Sequence, residues 1–365
     1  MKSFDRFYKI DKDFRNPYAR DRDRIIHSGS FRKLEYKTQV FLNHEGDFFR
    51  TRLTHSIEVS QIARSITSNL GLNESLAEAI ALAHDLGHTP FGHVGGDTLD
   101  DCLKEDGFKQ GFEHNFQSFR VVSSLEKRYK EFNGLNLTFA TLEGILKHSY
   151  PYKKSFLPKT IHEQFNLDTH PSIEAMIVDR ADEIAYISHD IDDGVNSGLI
   201  SFEDLKESSL VQEILEKVAQ EGVGFENDEM FRYRFSSHLI NKLVYSLLEY
   251  SQDKIKVDEV LSATLDSKLS IPIGFEKELE TEIKKLKKIL FKKMYQHKSI
   301  VRKMYAGKQA VIGLYKGLMD DENMLPQFYH QQLDKRNKHR VVADYIASMS
   351  DRYALKFHNE MYGKI

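Results

Sequence analysis

Six of the chain's sixteen histidines (His55, His84, His88, His93, His114 and His148) fall between positions 55 and 148. Neutral imidazole nitrogens ligate metals near pH 7, and carboxylates add the negative charge that retains a divalent cation. The densest candidate is the adjacent pair His84-Asp85, which opens the run HDLGHTPFGHVGG (84–96). An isolated His-Asp pair is more often a polar helix end. A solvated turn, however, has little use for three groups with pKa values near about 6.5 broken by Gly and Pro. Asp182, Tyr186 and Asp190 follow i, i+4, i+8 and form one helical stripe, with two carboxylates bracketing an aromatic ring. Arg52 and His55 stand three apart near a helix start, where a fixed cation beside a metal ligand suits a bound phosphate.

The elements that must carry these groups read as mostly helical. From Thr54, the residues Val59, Ile62, Ala63, Ile66 and Leu70 recur at helical spacing until Gly71. Asn73 is placed to cap a helix running through Leu76, Ile80 and Ala83 into His84-Asp85, which Gly87 and Pro90 stop. Ile177, Ala181, Ile184, Ser188 and Ile191 make the buried stripe of a helix ending near Gly194. Leu279, Ile283, Leu286 and Leu290 are the apolar face of a Lys-rich helix over Phe275–Lys293. Its lysines read as a solvated face, with a nucleic-acid groove as the minority reading. Gln39–Phe49 reads as a short β-hairpin turning at Glu45-Gly46-Asp47, and Tyr150–Pro171 as a long loop.

With 365 residues, 40% of them hydrophobic and 29% charged, the chain can build one large domain or two ordinary ones. A net charge of −3 gives no global attraction to nucleic acid or anionic membrane. Cys102 is the only cysteine, so no intrachain disulfide forms. The start, MKSFDRFYKIDKDFRNPYARDRDR, alternates charges instead of presenting an apolar signal region, and no run approaches the roughly 20 apolar residues of a membrane span. These features point to a cytoplasmic protein without membrane attachment.

The segments RTRLTHSIEV (50–59), AHDLGHTPFGHVG (83–95), FEHNFQSFR (112–120) and ADEIAYISHDIDD (181–193) resemble the bacterial dGTP triphosphohydrolase-like family of HD-domain phosphohydrolases. That family is related to the vertebrate SAM-and-HD-domain dNTPase. The resemblance begins at NPYARDRDRIIHSGSFRKLEYKTQVF (16–41) and recurs at RVVADYIASMSDRYAL (340–355), so it spans nearly the whole chain. It implies an HD helical bundle in three parts. Residues 1–50 pack on the core with the hairpin, 51–200 form the catalytic core, and 201–365 complete the site and an oligomer interface.

Carried onto this chain, the resemblance makes His55, His84, Asp85 and Asp182 the ligands of one divalent cation. Mn2+ or Mg2+ is expected, and Fe, Ni, Co or Zn also suit such donors. His93 matches the catalytic histidine and His114 a second histidine of the same pocket. Arg52 matches a phosphate-binding arginine and Lys147 a further phosphate contact, while His88 divides between a support behind the metal ligands, a phosphate contact and a structural loop role. Gln39, Tyr186 and Asp190 match the sugar readers that favour deoxyribose. The implied reaction is attack of water at the α-phosphorus of a deoxynucleoside triphosphate, releasing deoxynucleoside and tripolyphosphate. A dNTP activator and a homo-oligomer are implied as partners.

One position departs from the family pattern. The usual acid three residues after the catalytic histidine is Gly96 here, and Asp97 follows it. On a helix that shift turns the side chain by about 100°, so either Asp97 reaches His93 at i, i+4 or the acid is absent. Two alternatives therefore stand beside the leading function. One is an HD phosphohydrolase acting on another nucleotide, though Leu86-Gly87-His88 speaks against guanosine alarmones. The other is a weakly active nucleotide sensor or single-stranded nucleic-acid binder. His148 reads as part of a helix surface.

Overall fold

The computed structural model describes residues 4–11, 14–39, 49–149, 156–167, 169–224, 228–255 and 273–363. Local sequence starts its first helices. Asn16 accepts from the Tyr18 amide ahead of α1 (Pro17–Ile26), and Thr51 and Thr54 cap α2 (Arg52–Asn69) reciprocally. Asn73 caps α3 (Glu74–Ala83) by accepting from the Leu76 amide, as its position in the sequence suggests. There follow α4 (Gly92–Glu105), α5 (His114–Arg120), α6 (Phe139–Leu146), α7 (Ile173–Asn196), α8 (Ser209–Gln220) and α9 (Asp228–Gln252). The chain ends with α10 (Lys277–Leu290), α11 (Lys298–Asp320), α12 (Lys338–Ala347) and α13 (Asp351–Tyr362). A π-helical turn continues α5 at Val121–Leu125 and α10 at Phe291–Tyr295.

The apolar stripes read from the sequence meet one another. Val59, Ile62, Ala63 and Ile66 of α2 pack with Ile80 of α3, and with Ile177, Ala181 and Ile184 of α7. Burying each of the larger of these side chains contributes roughly 1.5–3 kcal/mol. The same core takes in Phe231 and Leu239 of α9 and Ile283 and Leu286 of α10, so it runs across position 200. A second core joins the far face of α3 to α5 and α6 through Leu82, Phe116, Phe119 and Ile145. A third core joins α4 to the C-terminal helices, with Phe91, Leu99 and Leu103 against Val311, Leu314, Val342 and Ile346.

The hairpin expected over Gln39–Phe49 falls on residues 40–48, which lie outside the described residues. Beside them Thr38 and Thr51 form a single antiparallel bridge, and there is no strand among the described residues. The long loop expected from Tyr150 to Pro171 carries a helix at Lys159–Phe165.

The third core has a tight point beside the histidine-rich run. Phe91 adopts φ 63°, a left-handed conformation that costs a non-glycine residue on the order of 1 kcal/mol or more. Its ring lies against Gly307 of α11, where a Cβ atom would come within 2.6 Å of the ring. Gly307→Ala should therefore destabilise the chain by about 1–3 kcal/mol through overpacking, although alanine is the better helix former by about 1 kcal/mol. Urea unfolding measures the difference, and an unchanged or raised midpoint would show that α4 and α11 separate at little cost.

Candidate metal centre and active site

The cap at Thr51 sets where α2 begins, and so places Arg52 and His55 one turn apart at its buried end, each no more than 2% exposed. The break after α3 places His84 and Asp85 opposite them. His84 Nδ1 lies 2.6 Å from the Ala81 carbonyl, which can only accept, so Nδ1 carries the proton and Nε2 keeps its lone pair. That Nε2 is buried without a hydrogen-bond partner. Asp182, from the middle of α7, brings Oδ1 to 2.9 Å from His55 Nε2 and 4.0 Å from His84 Nε2. Ligand atoms of these three residues all lie within 4.8 Å of one another. A buried, orphaned imidazole nitrogen facing a second imidazole and a carboxylate fits a divalent cation.

Asp85 stands beside this group. Its Oδ2 is 2.6 Å from Arg52 Nη1, and its Oδ1 is 2.9 Å from His88 Nδ1 and 3.4 Å from His84 Nε2. Burial pushes the Asp85 carboxyl up, but the surrounding His84, His88 and Arg52 hold it well below the usual carboxylate range. Arg50, just before α2, anchors the frame from the other side. It pairs with Glu58 at 3.0 Å and with Asp192 and Asp193 of α7 at 2.6 and 2.7 Å.

A second histidine group adjoins the first. The His88 ring lies 4.1 Å from that of His114 and 5.3 Å from that of His93. Burial, reinforced by the charge of Arg52, lowers His88 to about 3 and also depresses His93, while burial and the neighbouring imidazoles keep His114 well below the usual range. All three are neutral near pH 7, each with one N–H and one lone pair, as proton exchange requires. His93 is exposed, unlike the buried His88. Asp97 is also exposed and its charge acts on His93. A Cβ at Gly96 would meet only Thr89 and Phe112 at 3.7 Å or more, so packing does not require glycine there.

Asp190 of α7 accepts from the Tyr295 hydroxyl at 2.7 Å, and the rings of Tyr186 and Tyr295 stack 6.3 Å apart. Gln39 turns a buried, unpartnered Oε1 inward, with its carbonyl next to Gly92. A cleft of about 350 Å³ lined by Asp179, Arg180, Asp182, Tyr186 and Lys287 opens onto the centre. Lys147 does not line that cleft. It is fully buried, and its ammonium donates to Glu143 at 2.7 Å, Thr169 at 2.9 Å and the His170 carbonyl at 3.3 Å, which uses its three donors.

Sequence reasoning passed over four groups. His148, read as helix surface, is only 4% exposed and packs its ring 4.8 Å from that of His84. His189 lies between Glu58, at 3.4 Å, and the ring of His55, at 4.8 Å. Glu113 pairs with His114 Nδ1 at 3.2 Å, and Tyr295 reaches Asp190. Only His148 carried a signal, as a member of the histidine-rich stretch.

Burial raises Asp190 to about 8, so the folded chain keeps a proton that the unfolded chain releases near about 4. This contribution to stability is complete below about 4 and is lost as pH rises through about 8. Asp190→Asn cannot ionise, so its stability relative to the parent should climb across that window by a few kcal/mol, at about 1.4 kcal/mol per pKa unit. Denaturant midpoints of both proteins across that window measure the climb. A difference that stays constant with pH would show an ordinary Asp190.

Comparison with known proteins agrees with this architecture. The HD domain model matches residues 52–187, and the phosphohydrolase-associated domain model matches residues 273–360. A deoxyguanosinetriphosphate triphosphohydrolase-like protein of Wolinella succinogenes is 62% identical over 364 residues, covering 99% of this chain and 100% of the relative. Proteins of the same description from Geobacter sulfurreducens and Bordetella pertussis are each 45% identical, covering 94% and 95% of this chain and 88% and 90% of their own lengths. Among the described residues no helix is long and apolar enough to cross a membrane. With His55, His84 and Asp182 brought together within the matched HD region and one relative 62% identical over its full length, the chain belongs to the deoxyguanosinetriphosphate triphosphohydrolase-like family of HD-domain phosphohydrolases.

Proposed function

We propose that the chain hydrolyses deoxynucleoside triphosphates to deoxynucleoside and tripolyphosphate, using a divalent cation held by His55, His84 and Asp182 with Asp85 beside them. The observation that carries this reading is the buried, unpartnered Nε2 of His84, set among these groups next to Arg52 and a neutral histidine cluster. When bound, the ion supplies Lewis-acid polarisation of a phosphoryl oxygen. Mn2+ or Mg2+ is the expected ion.

The chain's own residues account for the rest. Arg52 keeps a buried, unpartnered Nε for a phosphate oxygen while its Nη1 holds Asp85. His93, neutral and open to solvent, exchanges a proton with water or with the departing 5′ oxygen. Gln39 and the protonated Asp190 bind the 3′ hydroxyl. Tyr186 packs where a 2′ hydroxyl would have to lose its solvation, which discriminates against ribose. The segment 201–365 completes the site and carries a homo-oligomer interface, and the protein works in the cytoplasm. Gly96 supports a second reading, in which the same pocket binds nucleotide but turns over slowly.

Stripping the protein with chelator, reloading it with Mn2+ and presenting each dNTP and rNTP separates these readings. Metal-dependent tripolyphosphate from dNTPs alone is the expected result. Pyrophosphate or orthophosphate as first product would overturn it, and binding without product would leave the sensor. His93→Ala should lower kcat by about 10²–10⁴. If Asp97 stands in for the acid missing at position 96, Asp97→Ala should also slow turnover with metal content unchanged, and equal rates would remove it from the mechanism.

A further inference from the structure

Asp182 has two carboxylate oxygens, and the metal group accounts for one. Oδ1 faces His55 and His84, while Oδ2 lies 3.6 Å from His148 Nε2. The other nitrogen of His148, Nδ1, is 2.5 Å from Asp179 Oδ1. Asp179 and Asp182 stand three residues apart on α7, so they share a face and bracket the ring between them. The Asp179 oxygen also accepts from the Ser149 amide at 3.2 Å, holding the backbone that follows the histidine, where Ser149 takes φ 58°. On the other side Asn115 Nδ2 donates to the His148 carbonyl at 2.7 Å. The imidazole is thus fixed by backbone and side chain at once, next to the rings of the centre. The donor group of His55, His84 and Asp182 closes without it.

We propose that His148 is a positioning residue of the metal centre: set in place beside Asp179 at Nδ1, it faces Oδ2 of Asp182 with Nε2 at ion-pair distance and so aims Oδ1 at the cation. Left to itself, a carboxylate at this depth rotates about its terminal bond and competes for partners. Tying down one oxygen fixes the direction of the other. Groups that orient a ligand in this way typically change metal affinity by about 10–100-fold when they are removed. The inference rests on the divalent-cation reading above.

The test is Mn2+ binding to the full, chelator-stripped chain, followed by electron paramagnetic resonance of free and bound ion and by calorimetry, with circular dichroism to confirm folding. His148→Ala should weaken binding about 10–100-fold and broaden the bound-ion spectrum. His148→Gln keeps an N–H donor and should recover part of the affinity. It also keeps the test open if the alanine variant does not fold. Asp179→Asn should weaken binding in the same direction, and the Asp179→Asn, His148→Ala double variant should bind no worse than His148→Ala, because the two residues act through one contact. Wild-type affinity in both His148 variants overturns this proposal alone. So does wild-type affinity in Asp179→Asn with loss in His148→Ala, which would make His148 a direct ligand. A parent chain that binds no divalent cation overturns the metal reading and this proposal together.

Discussion

The buried pair between Arg52 and Asp85, 2.6 Å apart, is the interaction on which the rest of the site depends. Both side chains are almost wholly removed from water, and such a pair recovers its desolvation cost only when both partners stay in place. It ties the first turn of α2 to the turn that follows α3, and so sets the distance across which His55 and His84 face each other. It also bears on the protonation of its neighbours. Burial is the main force that depresses His88 and His93 and the Arg52 charge adds to it, while the same charge joins His84 and His88 in keeping Asp85 ionised.

Around that pair the architecture works by clamping loop backbone from a distance. Lys37 is fully buried, donates to the carbonyls of His88 and Ala347, and is pushed by burial down to about 7. Asp351, at the start of α13, accepts from the amides of Thr38 and Phe91, each at 2.9 Å. One carboxylate from the C-terminal helices thus holds the backbone before Gln39 and the backbone before His93. The left-handed Phe91 persists because α11 and Asp351 over-determine it. This is how residues more than 200 positions away take part in the site without touching its centre. The π-helical turn at Phe291–Tyr295 belongs to the same pattern, since it places the Tyr295 hydroxyl against Asp190.

Much of the fold and of the grouping of the candidate site was legible in the sequence. Helical periodicity of 3.6 residues, the cap at Asn73, and the Gly/Pro break after His84-Asp85 depend on interactions within a few residues, and these the chain determines by itself. The stripes on α2, α3 and α7 had no other way to leave water than against one another, so His55 near the start of α2 and His84 at the end of α3 meet Asp182 in the middle of α7. The tertiary structure decided matters of partnership. The family resemblance made Lys147 a phosphate contact, but Glu143, Thr169 and His170 take its donors. His148 looked like surface because nothing nearby in sequence marks Asp179 and Asp182 as its neighbours. Tyr295 shows no sign of its bond to Asp190, 105 positions earlier. Whether a polar side chain is a ligand, a support or a strut depends on which groups share its low-dielectric surroundings, and only packing brings those groups together.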